Sequence, residues 1–529
     1  MGNAISLARL ALADFIKAFQ QYQIVKERLD RSPGLPVANP SRSFWIHPPS
    51  PIAKHCSQLP DYADFVVIGS GITGTSVVRR LLVGCKEAGI VDSVKVVMLE
   101  ARDACSGATG RNGGHISPIL YDDWETLQTT YGNVVAEKVI KFRLAHLHQL
   151  RQVAEEEGIL EASQWREVDL VDVFYEQEMF EREKAKLRKY ERDLPFEASH
   201  HQVYEEAQAK ETFHLADDVV GCIVGGAGAI HPYKFTTGIL SNLLTRHPAN
   251  FFLCTNTPCT SISGPSSATP YYTVATPKGN VLTPHVIHAT NAWCSHLIEP
   301  MRTKIIPIRG SMSAQRAGQS LPPTTALRAY AFHTTRAGYD YLTQLPDGER
   351  EMMLGATYAQ KFGYDGVGNT DDSMYDKHVA AHLGGALPRY FGEENWGAEA
   401  QVVDDDTSLP WLKGRVKAMW SGILGISVDY MPWVGRLPTK ISGRTPPPAS
   451  SSPRLHAIAK ADMIPFGSSP GEWIAAGYTG EGMVHAWLSG KALAEMIMGR
   501  EGEGALSEWF PEAMLVTPKR WMSARPEDL

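Results

Sequence analysis

The sequence lacks any run of roughly 18 consecutive apolar residues, so it predicts no membrane-spanning helix. It also lacks a charged N-terminal segment followed by an apolar core and a cleavage site, and a secretory signal is not expected. The seven cysteines are scattered and include no CxxC pair, which argues against a zinc site and a disulfide framework. These absences favour a cytoplasmic protein without a bound metal.

A basic excess is missing as well. The net charge is −7 and the pI is about 6.2, so no nucleic-acid partner is expected. The 529 residues exceed what one compact core usually holds, and about two or three domains are predicted.

The N-terminus begins with MGNAIS, which fits a myristoylation pattern through Gly2 and Ser6. Apolar residues from Leu7 to Phe19 then follow a roughly helical spacing, so residues 1–61 are predicted to form an N-terminal helix and an extended, proline-rich arm. Two interpretations stay open: a helix packed on the body, or weak membrane contact that requires acylation of Gly2.

A strand, a glycine turn and a helix follow the arm. The apolar residues Phe65 to Ile68 precede the run Gly69, Ser70, Gly71, Ile72, Thr73 and Gly74, which has the spacing GxGxxG. Gly69 permits a tight turn, Gly71 lets the backbone approach a pyrophosphate, and Gly74 lets the helix pack on the strand. The helix N-terminus offers free N–H groups and a positive dipole end to phosphates.

A second strand, VKVVMLE, ends in Glu100. A carboxylate at this position accepts hydrogen bonds from the adenosine ribose and disfavours a 2′-phosphate, so NADP is the poorer candidate. Together with the first strand and the GxGxxG turn, Glu100 predicts a dinucleotide-binding site.

Further glycine-rich segments indicate which dinucleotide is bound. CSGATGRNGGH covers residues 105–115 and GYTGEGMVHAW covers residues 477–487. With GAIHPYKF (228–235), HATNAW (288–293), PIRG (307–310) and WSGILGISVDYMPWVG (420–435), these segments resemble, in order, the motifs of the FAD-dependent D-amino acid oxidase (DAO) superfamily. Within that superfamily the arm and the C-terminal turn are most similar to filamentous-fungal members.

The resemblance implies FAD, held without a covalent bond, because Gly422 stands where some relatives have a flavin-linked cysteine. It also implies an α/β fold with a Rossmann-like FAD/NAD(P)-binding domain of the glutathione-reductase/DAO type and a smaller α+β substrate domain. The expected FAD-binding domain comprises 62–150, 225–300 and 415–505, the substrate domain comprises 151–224 and 301–414, and 506–529 form a tail.

The resemblance also implies the site residues. Besides the GxGxxG run and Glu100, the expected cofactor contacts are Ala101, Arg102, Gly110, Arg111, Asn112, Gly113, Gly114, His115, Trp293, Gly480, Glu481, Gly482 and Met483. His115 and Tyr358 are the candidate catalytic residues, and Tyr339 and His333 belong to the same expected substrate-domain sheet. Arg111 faces either a phosphate, a structural partner or a substrate carboxylate, and His115 either contacts the flavin or is satisfied by backbone.

The expected reaction is oxidation of a C–N bond in an amine or amino acid, by hydride transfer to flavin N5 to give an imine. Val484 and Met353 replace lysines that in some relatives bind a substrate carboxylate and activate oxygen, so an apolar or bulky amine is favoured and the electron acceptor is left open. Two alternatives remain. One is an FAD monooxygenase-type enzyme that oxidises an aromatic or polyketide-like substrate, although GYTGEG lacks the usual Gly-Asp pair. The other is a non-catalytic flavin-binding partner.

Two segments carry secondary-structure predictions that bear on the substrate domain. Residues 135–193 are predicted to be helical and highly charged. Residues 327–358 are predicted to form a β-hairpin whose turn contains PDGE.

Overall fold

The computed structural model describes residues 2–335, 338–356, 364–399, 411–451, 467–500 and 505–528. Its strands are β1 (Phe65–Ile68), β2 (Val96–Leu99), β3 (His115–Ile116), β4 (Arg166–Phe174), β5 (Gln202–Glu205), β6 (Gly221–Ala229), β7 (Phe251–Cys254), β8 (Ser261–Ser263), β9 (Tyr272–Thr276), β10 (Gly279–Thr283), β11 (His285–His288), β12 (Ile305–Gln315), β13 (Arg328–Thr335), β14 (Gly338–Gln344), β15 (Met352–Ala356), β16 (Val416–Ser427), β17 (Trp433–Arg436) and β18 (Gly471–Ala476).

The helices are α1 (Gly2–Asp30), α2 (Ile72–Glu87), α3 (Tyr121–Tyr131), α4 (Asn133–Glu156), α5 (Gln177–Asp193), α6 (Glu206–Phe213), α7 (Pro232–Arg246), α8 (Cys294–Leu297), α9 (Lys377–Phe391), α10 (Glu393–Trp396), α11 (Thr439–Ser442), α12 (Ala486–Ile497), α13 (Ala505–Trp509) and α14 (Pro518–Ser523). Among the described residues, no helix is both long and apolar enough to cross a bilayer.

A six-stranded sheet in the order β17-β18-β11-β1-β2-β7 forms the first layer. All of its pairs are parallel except β17 with β18. The central strand β1 reads FVVI and is buried at every position, as expected for a parallel strand covered on both faces. Helices α2 and α12 pack together beside this sheet. Because β1, β2 and β11 are parallel, their carboxyl ends lie at the same edge of the sheet.

A second, mixed sheet of nine strands has the order β16-β12-β15-β14-β13-β4-β6-β3, with β5 paired to β6. One of its faces packs on α9 through Val171, Tyr330, Phe332 and Leu342. The residues that alternate with these, including Asp172, His333, Tyr339 and Tyr341, therefore lie on the opposite face, which meets the glycine loop. The mixed α/β architecture confirms the predicted fold class, and the domain bounds stay a prediction.

The predicted hairpin is confirmed: β14 and β15 are antiparallel, and PDGE lies in the connection between them. The prediction of continuous helix over 135–193 is wrong in its middle, because 166–174 form β4 between α4 and α5. The segment REVDLVDVF carries β-branched and aromatic residues near period two, and the charged sequence around it masked this signal.

The N-terminal helix α1 has an exposed apolar face. Leu12, Phe15, Ile16, Phe19 and Tyr22 follow a helical spacing, and each is about half exposed or more. The end of the helix is attached to the body, because the Arg28 guanidinium donates to the carbonyls of Tyr364 and Asp365 at 3.3 and 3.1 Å.

Candidate active site

An elongated cleft runs along the edge where β1, β2 and β11 end. It holds about 1260 Å³ of atom-free space, part of it open to solvent. Its lining includes Gly34 to Pro36 of the arm, Ile68 to Thr73, Leu99 to Arg102, Gly107 to Thr109, Asn112, Ala289 to Asn291, Trp293, Tyr478, Gly480, Gly482 and Met483. A crevice at this position in a parallel sheet is where doubly wound folds bind nucleotides.

Most of the predicted cofactor residues therefore meet in one place. Gly69, Ser70, Gly71, Ile72, Thr73, Glu100, Ala101, Arg102, Asn112, Trp293, Gly480, Gly482 and Met483 all line the cleft. Gly74, Gly110, Arg111, Gly113, Gly114, His115 and Glu481 do not contribute to this lining. Tyr358 lies outside the described residues.

The GxGxxG turn has the expected strand–turn–helix geometry. Gly69 has φ of +109°, and a Cβ there would lie 2.6 Å from the Ala289 carbonyl oxygen. A Cβ on Gly74 would lie 2.1 Å from the Gly69 carbonyl oxygen, so α2 can start this close to β1 only with glycine. Thr109 of the glycine loop accepts from the Ile72 amide at 3.0 Å, which ties the loop to the first turn of α2.

Glu100 is held in place at the end of β2. Its Oε2 accepts from the Ser70 amide at 3.1 Å and the Ser70 hydroxyl at 2.7 Å, and its Oε1 accepts from the Arg102 amide at 3.0 Å. A carboxylate fixed by these donors at the cleft edge is oriented to accept further hydrogen bonds.

Three donors lining the cleft have no partner among the described residues. Arg102 Nε, Thr290 Oγ1 and Trp293 Nε1 are buried without a hydrogen bond. Buried donors are normally satisfied, so a polar ligand is expected to satisfy these. With the glycine backbone and the α2 N-terminus, this donor set fits the phosphates and hydroxyl groups of a dinucleotide such as FAD.

Arg111 points away from the cleft. Its guanidinium donates to the carbonyls of Ser106, Ser41 and Ser421 at 2.8, 2.9 and 2.8 Å. Burial lowers its pKa to about 10, although the fully buried Asp372 at 3.6 Å opposes that shift. These contacts support the structural alternative, in which Arg111 joins the arm, the glycine loop and β16.

The glycine loop is packed by protein along much of its length. A Cβ on Gly110 would lie 2.3 Å from the Cys105 carbonyl oxygen, and one on Gly113 would lie 2.8 Å from the Tyr341 ring. Gly114 has φ of +74° and faces Trp45 of the arm. Only the Cβ of Gly107, among the loop glycines, would project into open space. Packing against the chain thus explains three of the four glycines.

A cluster of polar and aromatic side chains lies on the face of the mixed sheet that meets the glycine loop, together with Tyr121 of α3. This sheet-face cluster consists of His115, Tyr121, Asp172, His333, Tyr339 and Tyr341. Asp172 accepts from the Tyr121 hydroxyl at 2.9 Å and pairs with His333 Nε2 at 3.2 Å. A series of ring contacts then leads from His333 to His115. The ring centroids are 5.3 Å apart for His333 and Tyr339, 6.5 Å for Tyr339 and Tyr341, and 5.4 Å for Tyr341 and His115.

His115 connects the sheet-face cluster to the glycine loop. Its Nε2 is buried without a partner among the described residues, and its Nδ1 lies 3.5 Å from the Ser117 hydroxyl. Burial, with a smaller contribution from Arg166, lowers its pKa to about 3. The ring is therefore neutral at physiological pH, in contrast to the titrating histidine that its ordinary pKa would suggest.

Sequence reasoning missed Asp172, Tyr121 and Arg143. Asp172 lies within the segment that was predicted to be helical, so its place on a sheet face could not be foreseen. Arg143 is buried in α4 and donates to Asp123 at 2.9 Å, a contact that no local pattern reveals.

The fold and the cleft are those of a dinucleotide-binding protein. The sequence matches the model of the FAD dependent oxidoreductase family DAO over residues 64–496, and the chain belongs to this family. It is an FAD-dependent oxidoreductase, which removes the non-catalytic alternative. No curated protein matches the sequence.

Similar solved structures include glycine oxidase from Geobacillus kaustophilus, with a TM-score of 0.59, 17% identity and coverage of 87% of this chain and 99% of that chain. L-Amino acid deaminase from Proteus myxofaciens has a TM-score of 0.61 at 13% identity, covering 92% and 98%. Iminodiacetate oxidase from Chelativorans sp. BNC1 has a TM-score of 0.56 at 14% identity, covering 84% and 98%. At these identities the likeness shows the shared fold.

Proposed function

We propose that the protein oxidises a C–N bond of an amine or amino acid, giving an imine that water hydrolyses. FAD bound in the cleft supplies the hydride acceptor for this chemistry. The observation that carries the proposal is the sheet-face cluster, a carboxylate and several aromatic rings that connect through Tyr341 and His115 to the glycine loop. The similar oxidases and deaminase, whose names refer to amino acids and iminodiacetate, support it.

Asp172 is suited to attract a substrate ammonium group. Tyr121 and His333 fix its carboxylate, and Tyr339 and Tyr341 supply aromatic walls on the same sheet face. A cation gains from both a carboxylate and aromatic faces, more so where water is excluded. These residues would bind and orient the amine.

An amine without a carboxylate fits better than an amino acid. Arg166 interacts electrostatically with His115, and Arg143 lies beside Glu481. Both already donate to protein acceptors: Arg143 to Asp123 and the Ile119 carbonyl, Arg166 to the carbonyls of Gln164 and Ala326. A substrate carboxylate would have to replace one of these partners.

We propose that FAD is held without a covalent bond. Cys259 is the cysteine that lines the cleft, and burial raises the pKa of its thiol to about 12, which makes it a poor nucleophile. Val484 and Met353, which replace lysines of some relatives, are packed among apolar residues. The proposal leaves the electron acceptor open between oxygen and another oxidant.

The test is anaerobic mixing of the purified flavoprotein with a panel of primary and secondary amines and amino acids. An amine that bleaches the flavin absorbance, and an imine-derived carbonyl product, are expected. Asp172→Asn should raise the amine concentration needed for half-maximal reduction by about tenfold or more. Asp169→Asn, at an exposed residue of the same strand, is the matched control. Reduction by NADPH with no response to any amine would favour the monooxygenase alternative.

Weak membrane contact through α1 is a separate proposal and depends on acylation of Gly2. A single acyl chain binds a bilayer only marginally, and the exposed apolar face of α1 would supply the second contribution. Co-sedimentation of the myristoylated protein with phosphatidylcholine–phosphatidylserine vesicles tests this. Phe15→Ser with Phe19→Ser should abolish the binding, and equal sedimentation of the two proteins would refute it.

A further inference from the structure

Glu481 occupies a distinct position in the C-terminal glycine turn. Its neighbours Gly480 and Gly482 both line the cofactor cleft. Its own carboxylate is directed instead toward α3 and α4, where Oε2 lies 3.5 Å from Arg143 Nη2. The side chain remains 22% exposed.

The surroundings of Glu481 contain more negative than positive charge. Among the described residues, Arg143 is the cation that pairs with Glu481, and it is shared, because it also donates to Asp123 at 2.9 Å. Burial raises the pKa of Glu481 to about 7; Arg143 opposes this shift, and Asp123 and Asp122 add to it. The titratable and charged groups that face Glu481 are Asp122 and Asp123 on α3, Arg143 on α4, Tyr339 on β14 and His485 at the start of α12.

The neighbouring histidine and tyrosine stay neutral. Burial and Arg143 lower the pKa of His485 well below its ordinary value, and His485 Nδ1 lies 3.0 Å from the Glu481 carbonyl oxygen. Burial raises the pKa of Tyr339, and the negative charge of Glu481 adds to this shift. Neither group changes charge around neutral pH, so the proton equilibrium of this region is centred on Glu481.

We propose that Glu481 accepts the proton of the substrate ammonium group before the C–N bond is oxidised, and that Arg143 is the positioning residue for its carboxylate. This inference rests on the proposed function. An amine must be neutral to lose a hydride, and the step breaks one ammonium N–H bond and forms one O–H bond on Glu481. The electron pair of the broken bond stays on nitrogen as its lone pair, and the carboxylate becomes a neutral carboxylic acid.

The other candidates suit this role less well. His115 is a poor proton acceptor at neutral pH, because its pKa is lowered to about 3. The carboxylate of Asp172 already accepts from Tyr121 and pairs with His333. A general base is most effective when its pKa lies near the working pH, and Glu481 meets this condition.

The first experiment measures the rate of anaerobic flavin reduction against pH with an amine that bleaches the wild-type protein. In the wild type the rate should rise with pH through about 7, as Glu481 loses its proton. In Glu481→Gln the rate at neutral pH should fall about 100-fold or more. Its pH profile should then follow the ionisation of the free amine instead. Glu512→Gln, which removes an exposed partner of Lys138 on α4, is the matched control and should keep the wild-type profile.

The second experiment does not depend on turnover. Infrared difference titration of the substrate-free protein should show a carboxyl group protonating near neutral pH, and the signal should be absent in Glu481→Gln. Asp123→Asn should move this midpoint to lower pH, because it removes a negative charge and frees Arg143 for Glu481. Asp123 is 35% exposed on its side chain, so this substitution leaves the packing intact.

The two hypotheses fail in different ways. If no amine reduces the wild-type flavin, the proposed function and this inference both fall. If an amine reduces the wild type and Glu481→Gln at the same rate and with the same pH profile, the inference alone is overturned. A carboxyl signal that persists unchanged in Glu481→Gln also overturns it.

Discussion

Thr343 Oγ1 donates a hydrogen bond to the Gly113 carbonyl at 2.8 Å. Thr343 lies on β14 of the mixed sheet, and Gly113 belongs to the glycine loop beside the cofactor cleft. This bond joins the wall that carries Tyr339 and Tyr341 to the loop that ends in His115. The relative placement of the substrate side and the cofactor side therefore depends in part on one buried hydroxyl.

Thr343→Val should loosen this junction. The substitution keeps the shape of the side chain and leaves the Gly113 carbonyl without its donor, at a cost of about 1–3 kcal/mol. Urea unfolding should show this loss, and flavin should dissociate faster than from the wild type. Thr343→Ser retains the hydroxyl and should restore both properties; equal behaviour of Val and Ser variants would contradict the prediction.

The two glycines Gly74 and Gly107 should respond differently to alanine. Gly74→Ala places a Cβ 2.1 Å from the Gly69 carbonyl oxygen, so it should destabilise the protein even without flavin. Gly107→Ala places its Cβ in open space within the cleft and should leave the melting temperature of the flavin-free protein unchanged. Calorimetry on flavin-stripped samples measures the first effect, and flavin titration shows whether Gly107→Ala weakens cofactor binding.

Asp372→Asn should destabilise the protein and weaken flavin binding. Asp372 is fully buried, accepts from Arg102 Nη1 at 2.9 and 3.0 Å, and lies 3.6 Å from Arg111. Loss of its charge leaves two guanidinium groups uncompensated, a change that typically costs about 3–5 kcal/mol. Because Arg102 also lines the cleft, flavin affinity should fall with stability. Asp365→Asn, an exposed residue of the neighbouring segment, serves as the control and should change neither quantity.

Stability should fall as the pH is lowered from about 6.5 toward 4. Burial lowers the pKa of His115 and His231 to about 3 and of His146 to about 4, and that of His485 further below its ordinary value. The unfolded chain therefore binds protons at these histidines before the folded chain does, which favours unfolding in acid. Glu481 acts in the opposite direction, since its raised pKa lets the folded state take up a proton first.

Melting temperatures recorded across that pH range test this acid sensitivity. His231→Asn retains a side-chain acceptor at the N-cap of α7. The melting temperature of this variant should therefore fall less steeply with decreasing pH, because one histidine that binds a proton on unfolding is gone. An unchanged slope in this variant would contradict the assignment.

The nucleotide-binding half of the fold could be predicted from sequence because its signals are local. The strand, GxGxxG turn, helix and Glu100 lie within one continuous segment, and each glycine has a backbone reason that sequence spacing exposes. The start of α7 is also a local signal, because Pro232 is its first residue and directly follows the capping residue His231.

The substrate side could not be predicted in the same way. Asp172 and Tyr121 meet across the chain through β4 and α3, and Glu481 reaches Arg143 from the opposite end of the sequence. The sequence leaves a phosphate, a structural partner and a substrate carboxylate open for Arg111, because the acceptors that it uses, Ser41 and Ser421, come from distant segments. Side-chain partners of this kind depend on tertiary packing, which local sequence patterns do not predict.

The order of strands in the six-stranded sheet has a consequence for synthesis on the ribosome. β1 emerges early, but its partner β11 and the next strand β18 follow much later, and the cleft also needs the turn at Gly480. The nascent chain therefore leaves one edge of β1 unpaired and cannot retain FAD until almost all of the protein has been translated. Cofactor supply should consequently influence the yield of mature protein after chain release, and little before it.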